Sequence, residues 1–182
     1  MTTENFKNMK NYVFIILVMV NFSSCLLPKV GFSTLSINVT YTQDYCKGIA
    51  PSQEMLDSLS RKRIYVGKKL YLKKGSENNP DAPIFHTVTT NAKGVLVLPE
   101  LFPGKYYLVD DERLKPIDYA KNQNIKVLDQ KCIDKWFKKP ILTFEIKKNI
   151  KQRLFYEINF HKSCYLGESG IPCVEYIGPK IP

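Results

Sequence analysis

With 182 residues, 44% apolar and 12% aromatic, the chain holds enough hydrophobic material for one domain with its own core and is too apolar for wholesale disorder. A net charge of +10, spread over scattered lysines with no basic run interleaved with stacking aromatics, excludes a nucleic-acid footprint. Abundant Val, Ile, Tyr and Phe favour strands over helices, so a mainly β sandwich is expected.

The N-terminus reads as an export signal over residues 1–24: Lys7 and Lys10, an apolar stretch from Tyr12 to Val20, then Phe22, Ser23, Ser24 and Cys25. The apolar stretch is short of the about 20 residues a bilayer span requires. Small residues just before a cysteine resemble the lipobox of lipoprotein signal peptidase, although Phe22 stands where that motif usually has Leu. Cys25 would then become the lipidated N-terminus, anchoring the protein in a bacterial cell envelope. The alternative is an ordinary secretory signal, but cleavage after Ser24 would place bulky Phe22 where such sites take a small residue. Met9, followed by Lys10, would make an equally complete signal start. Residues 25–34 form a tether, and 35–182 are expected to be one domain.

Along that domain, Leu35, Ile37, Val39 and Tyr41 alternate with polar residues and predict a half-buried strand. Ser52 precedes Met55, Leu56 and Leu59 at helical spacing, so a capped helix is expected over 52–60. From Lys68 the period becomes two, with Leu70 and Leu72 inward, followed by a polar loop over 75–83. Strands over 87–90, 95–98 and 105–109, separated by turns at Asn91–Gly94 and Pro103–Gly104, predict an antiparallel meander. Asp129 can cap a helix that turns Cys132, Ile133, Trp136 and Phe137 to one side before Lys138, Lys139 and Pro140 end it. Residues 141–146 and 154–160 read as a hairpin turned at Lys148–Asn149. The tail from Gly178 carries prolines that keep it out of a helix.

The lysines, Lys68, Lys69, Lys73, Lys74, Lys138, Lys139, Lys147, Lys148 and Lys151, are expected on solvated strand faces or guarding sheet edges. Attraction to anionic lipid or glycan is the sharper reading of the same charge.

Setting Cys25 aside leaves Cys46, Cys132, Cys164 and Cys173, an even number that in an exported chain favours two disulfides. Of the three possible connectivities, spacing favours Cys164 with Cys173 and leaves Cys46 for Cys132. The chain-entropy model gives those bridges roughly 3 and roughly 4.5 kcal/mol. His161 with Cys164 and Cys173 is the alternative, a soft-metal site in a periplasmic metal-binding protein, although the spacing matches no zinc finger or ribbon. His86 opens a strand without an acid or nucleophile near it in sequence, so a small hydrolase would need His86 or His161 brought beside a carboxylate and a nucleophile in a pocket. Asp110, Asp111 and Glu112 read as a solvated turn, with calcium as the reading if a loop wrapped them around one centre. No Gly-x-Ser-x-Gly, His-Glu-x-x-His, phosphate-loop or dinucleotide pattern occurs, so no enzyme activity and no cofactor are expected.

Thr90-Asn91-Ala92-Lys93-Gly94, followed by Val95, Val97, Leu101, Pro103-Gly104-Lys105-Tyr106 and Leu108-Val109-Asp110, resembles the "T-D-x-x-G … L-x-P-G-x-Y-x-L" signature of carboxypeptidase-regulatory-like domains, over about residues 68–112. That resemblance implies a transthyretin-like (prealbumin-like) antiparallel β-sandwich of about seven strands, here with one or two short helices, on a fold that hosts varied functions. Asp44-Tyr45-Cys46, Pro51–Leu56, Asn159–Cys164 and Pro172–Pro179 further resemble lipoproteins of Gram-negative bacteria that carry this domain, and no activity comes with the likeness. The expectation is a non-catalytic envelope lipoprotein whose β-sandwich has a structural or binding role, presenting loops, or the aromatics Trp136, Phe137 and Tyr165, to a protein or glycan.

Overall fold

The computed structural model describes residues 34–148, 153–168 and 170–179. The export signal, Cys25, the tether up to residue 33, Lys151 and Asn149 lie outside the described residues. Two sheets face each other across one core, as the composition predicts, and a smaller lobe sits beside them. Among the described residues no helix is long and apolar enough to cross a membrane.

In the first sheet, β1 (Thr34–Gln43) is central. On one side it pairs in parallel along its whole length with β9 (Arg153–Lys162), from Thr34↔Arg153 to Gln43↔Lys162. Its other edge is shared by β5 (Val95–Val97) and β2 (Arg63–Ile64), both antiparallel. The second sheet has the order β4 (His86–Thr89), β3 (Lys69–Lys74), β6 (Gly104–Val109), β8 (Leu142–Ile146), all antiparallel. Period-two alternation turns Leu35, Ile37, Val39, Leu96, Ile158 and Phe160 of the first sheet onto Leu70, Leu72, Tyr106, Leu108, Phe144 and Ile146 of the second. Each such buried aliphatic or Phe contributes about 1.5–3 kcal/mol relative to exposure.

Two sequence expectations are corrected here. The strands over 87–90, 95–98 and 105–109 do not form a meander, because β4 and β6 both pair with β3 while β5 crosses to β1. The Asn91–Gly94 turn makes that crossing: Asn91 Oδ1 accepts from the Lys93 and Val95 amides, and the Gly94 carbonyl accepts from Val39 N at 2.8 Å. Gly94 and Gly104 both have positive φ, +69° and +151°, as turn glycines should. Residues 141–146 and 154–160 likewise are not a hairpin. β8 closes the second sheet while β9 crosses to the first and runs alongside β1, so this sandwich is not wholly antiparallel.

The lysine expectation also fails at two positions. Lys73 is 1% exposed and Lys68 8%. β3 is an interior strand, and its outer face is covered by the loop over 75–83, whose Asn79 and Pro80 carbonyls accept from Lys73 Nζ at 2.9 and 3.4 Å. Burial lowers the Lys73 pKa, opposed by the charge of Asp81. Lys73 therefore buries its stem under the loop and finds carbonyls for its head.

The helices form where the caps predict. In α1 (Gln53–Ser60) the Ser52 hydroxyl accepts from Met55 N, and in α2 (Gln130–Lys138) the Asp129 side chain accepts from Lys131 N and Cys132 N. α2 packs with the antiparallel pair β7 (Ile125–Val127) and β10 (Val174–Tyr176) into the small lobe, whose core is Tyr119, Ile133, Ile171 and Val174.

All four described cysteines are bridged, but not as spacing suggested. The pairs are Cys46–Cys164, with Cα atoms 5.4 Å apart, and Cys132–Cys173, at 6.2 Å. Parallel pairing of β1 with β9 carries Cys46 and Cys164 to the same end of the sheet, while Cys132 on α2 meets the segment entering β10.

Candidate functional site

A cavity of about 300 Å³ opens between α2, the loop over 75–83 and the segment from Glu112 to Tyr119. Its wall carries Asn78, Pro80, Ile117, Tyr119, Trp136 and Phe137, with Glu112, Gln130, Asp134 and Lys138 supplying polar groups. A second hollow of about 190 Å³ shares Glu112, Ile117 and Tyr119 and adds Tyr165, Leu166 and Ile171. The aromatics singled out from the sequence are thus divided: Trp136 and Phe137 line the first hollow, and Tyr165 lines the second, stacked on Tyr176 with ring centroids 4.2 Å apart.

Several contacts fix the first hollow. Asn78 donates its side-chain amide to the Arg113 and Phe137 carbonyls at 2.7 and 3.0 Å, and its backbone N–H to the Lys138 carbonyl at 2.9 Å. One residue so ties the loop, the turn after β6 and the C-terminal end of α2. The Arg113 guanidinium lies 3.9 Å from the Trp136 ring centroid and pairs with the buried Asp110 at 3.5 Å. Burial lowers the Arg113 pKa, and Asp110 works against that shift. Burial, with Glu112 nearby, pushes the Tyr119 phenol up to about 12, so it stays a neutral hydroxyl at physiological pH. Cys132–Cys173 clamps the helix that supplies Trp136 and Phe137.

The acidic triplet resolves into three separate roles. Asp110 faces Arg113, Asp111 accepts from the Tyr71 hydroxyl at 2.6 Å, and Glu112 accepts from Glu168 N at 3.0 Å. The carboxylates diverge, so the calcium reading and the reading as a wholly solvated turn both give way, the latter because Asp110 is 1% exposed. The Tyr71 phenol, hydrogen-bonded to Asp111, is pushed up to about 12.

His161 stands between two groups the hydrolase reading required: Nε2 lies 2.9 Å from Asp44 Oδ1 and Nδ1 3.2 Å from Thr42 Oγ1. Yet His161 and Asp44 side chains are 51% and 47% exposed, and the Thr42 hydroxyl also reaches the Phe160 carbonyl at 3.4 Å. Water screens so exposed a string, whereas the chemistry would need a desolvated imidazole. His86 packs edge-on to Phe85, with ring centroids 4.5 Å apart. The metal alternative loses its ligands: Cys164 and Cys173 belong to different disulfides, and among the described residues no cluster of three His, Cys, Asp or Glu is placed to hold a metal ion.

Asn78, Arg113 and Tyr119 escaped the sequence reading. Asn78 sits in a Ser-Glu-Asn-Asn-Pro run typical of a solvated loop, and Arg113 and Tyr119 lie outside any regular alternation. Only the Asp110-x-x-Arg113 spacing, one turn apart, hinted at a local ion pair.

Neither a family model nor a curated protein matches the chain. Among solved structures, it is similar to a minor pilin of the Gram-positive pathogen Streptococcus agalactiae at 13% identity and TM-score 0.35, over 84% of this chain and 48% of that one. A group B streptococcus pilus 2b backbone protein gives 16% identity and TM-score 0.31, over 70% and 40%. The shaft pilin of Lactobacillus rhamnosus GG gives 10% and 0.35, over 72% and 51%. The chain spans about half or less of each of these proteins.

Proposed function

We propose that the protein is a lipid-anchored component of a bacterial cell envelope, held by Cys25, whose β-sandwich presents the Trp136 cavity as a non-catalytic binding site for an envelope glycan or protein. The observation that carries the reading is the cavity itself: aromatic and polar side chains converge on one hollow whose supporting helix is clamped by Cys132–Cys173. Such a mostly apolar hollow with a few convergent polar groups is the usual form of a ligand site. Two disulfides suit an oxidising compartment, and the apolar run ending at Cys25 suits delivery there.

Two measurements test the two halves. Cys25→Ser should release the protein from membranes or leave an uncleaved precursor; a processed, membrane-bound mutant refutes the anchor. A photo-crosslinking residue at exposed Asp134 should trap an envelope component that the same probe at exposed Lys105 does not. Equal labelling from both positions refutes the binding site.

A further inference from the structure

We infer that the free edge of β9 pairs antiparallel with the β9 edge of a second copy of this chain, centred on Phe155, so that Arg153 of each copy meets Glu157 of the other. The surface is separate from the Trp136 cavity, and the inference stands without the anchor at Cys25.

β9 is ten residues long and lies at the edge of the first sheet; among the described residues no strand pairs with its outer side. The Lys162 carbonyl accepts from Asp44 N at 2.9 Å, and the Ile158 and Phe160 carbonyls accept from Thr40 and Thr42 Oγ1 at 3.4 Å. The even-numbered residues thus turn their backbone groups toward β1. Alternate residues of a strand turn theirs the other way, so Arg153, Phe155, Glu157, Asn159 and His161 present N–H and C=O groups to the open edge. Such an edge is a template for another strand unless proline, a bulge or an inward-pointing charge blunts it. β9 has no proline, its register with β1 is unbroken, and its inward residues Leu154, Tyr156, Ile158 and Phe160 are apolar.

The outer face selects the partner. Phe155 is 71% exposed, with polar Ser36 as its neighbour on β1. Arg153 and Glu157 flank it on the same face, both exposed, and neither forms an ion pair with another described residue. A two-fold axis through Phe155, perpendicular to the sheet, sets Phe155 against its own copy and creates two Arg153–Glu157 pairs, the self-complementarity that a symmetric dimer requires. Other centres lose this match. Leu154 at the centre sets Arg153 against Phe155, Tyr156 sets Phe155 against Glu157, and Glu157 sets two carboxylates together. Centres farther along leave Phe155 opposite His161 or beyond the end of the strand. A register shifted by one residue would set edge-facing backbone against backbone already turned to β1, and the core face of one copy level with the solvent face of the other. About five residues a side is small beside the about 20–30 of a standard interface, so the pair is weak and is best read by crosslinking in cells.

The test places the photo-crosslinker p-benzoylphenylalanine at position 155 of the full chain, and as a control at Val97, which is 69% exposed on the other side of the same sheet. Irradiated cells should yield a covalent dimer of the chain from position 155 and none from position 97. Arg153→Glu and Glu157→Arg, each added to the position-155 probe, should lower the dimer yield at least about threefold, and the two exchanges together should restore it. Restoration also shows that neither exchange acts by unfolding the strand. The inference is overturned by no dimer from position 155, by equal dimer from both positions, by single exchanges that leave the yield unchanged, or by a double exchange no better than the singles. A product of position 155 with lipid or with a different protein in place of the dimer gives the edge another occupant and overturns it as well.

Discussion

Cys46 and Cys164, separated by 118 residues in sequence, are joined just beyond the C-terminal ends of parallel strands β1 and β9, with their Cα atoms 5.4 Å apart. The bridge holds together two strands that the chain brings side by side only after most of the domain has been made. In the chain-entropy model it stabilises by about 5 kcal/mol, and Cys132–Cys173, across 41 residues, by about 4 kcal/mol. A non-reduced digest should return these two linked peptide pairs. Replacing Cys46 and Cys164 together by Ser should lower the denaturation midpoint at least as much as replacing Cys132 and Cys173, and recovery of a Cys164–Cys173 peptide would contradict the fold described.

Gly94 should tolerate no side chain. Its φ is +69°, and a Cβ there would lie 2.9 Å from the Val39 carbonyl oxygen in β1. Backbone strain of this kind costs of order 1–3 kcal/mol, and the steric contact adds to it because backbone cannot yield. At Gly104, φ +151°, a Cβ would meet only the Tyr106 ring, at 3.8 Å. Urea denaturation should therefore rank Gly94→Ala as more damaging than Gly104→Ala.

Glu168 should give the fold an acid-sensitive tie. Burial alone would raise its pKa, but hydrogen bonds from Lys68 and Tyr65 and the charges of Lys68 and Lys162 outweigh burial and hold it below the usual 4.5. Lys68 Nζ lies 2.8 Å from one carboxylate oxygen and Lys162 Nζ 3.5 Å from the other. A depressed folded-state pKa means stabilisation that is fully present above the unfolded value and is lost as pH falls through the folded value. The stability difference between the wild-type chain and Glu168→Gln should be constant from pH 7 to about 5 and shrink below about 4.3. A difference that grows on acidification would reverse the sign of this argument.

Arg113 should matter more than a surface arginine. It faces Asp110, 1% exposed, and covers Trp136 at 3.9 Å. Arg113→Ala removes the guanidinium from a buried carboxylate, a change that costs of order 3–5 kcal/mol. Near-ultraviolet dichroism of the single Trp should also lose intensity in this variant. A loss below about 0.5 kcal/mol, the usual surface value, would show that the pair is solvated.

The local sequence determined the local structure. Alternation in Leu35–Tyr41 and Lys69–Lys74 placed both strands and their inward faces, Ser52 and Asp129 started both helices, and Gly94 took the positive φ its turn demands. Of the candidate site, Trp136 and Phe137 were visible because they share one face of a short helix. What the tertiary structure decided was partnership. A period of two fixes which side of a strand is buried, yet says nothing about which strand lies beside it, so β5 and β9 joined the first sheet against the simplest reading of their turns. The cost of closing a loop rises only with the logarithm of its length, so the nine-residue separation of Cys164 and Cys173 was a weak reason to pair them. Lys73 reads as a surface lysine, and only the loop folded over β3 makes it buried. Asn78, Arg113 and Tyr119 likewise converge through packing between segments distant in sequence, which no local pattern encodes.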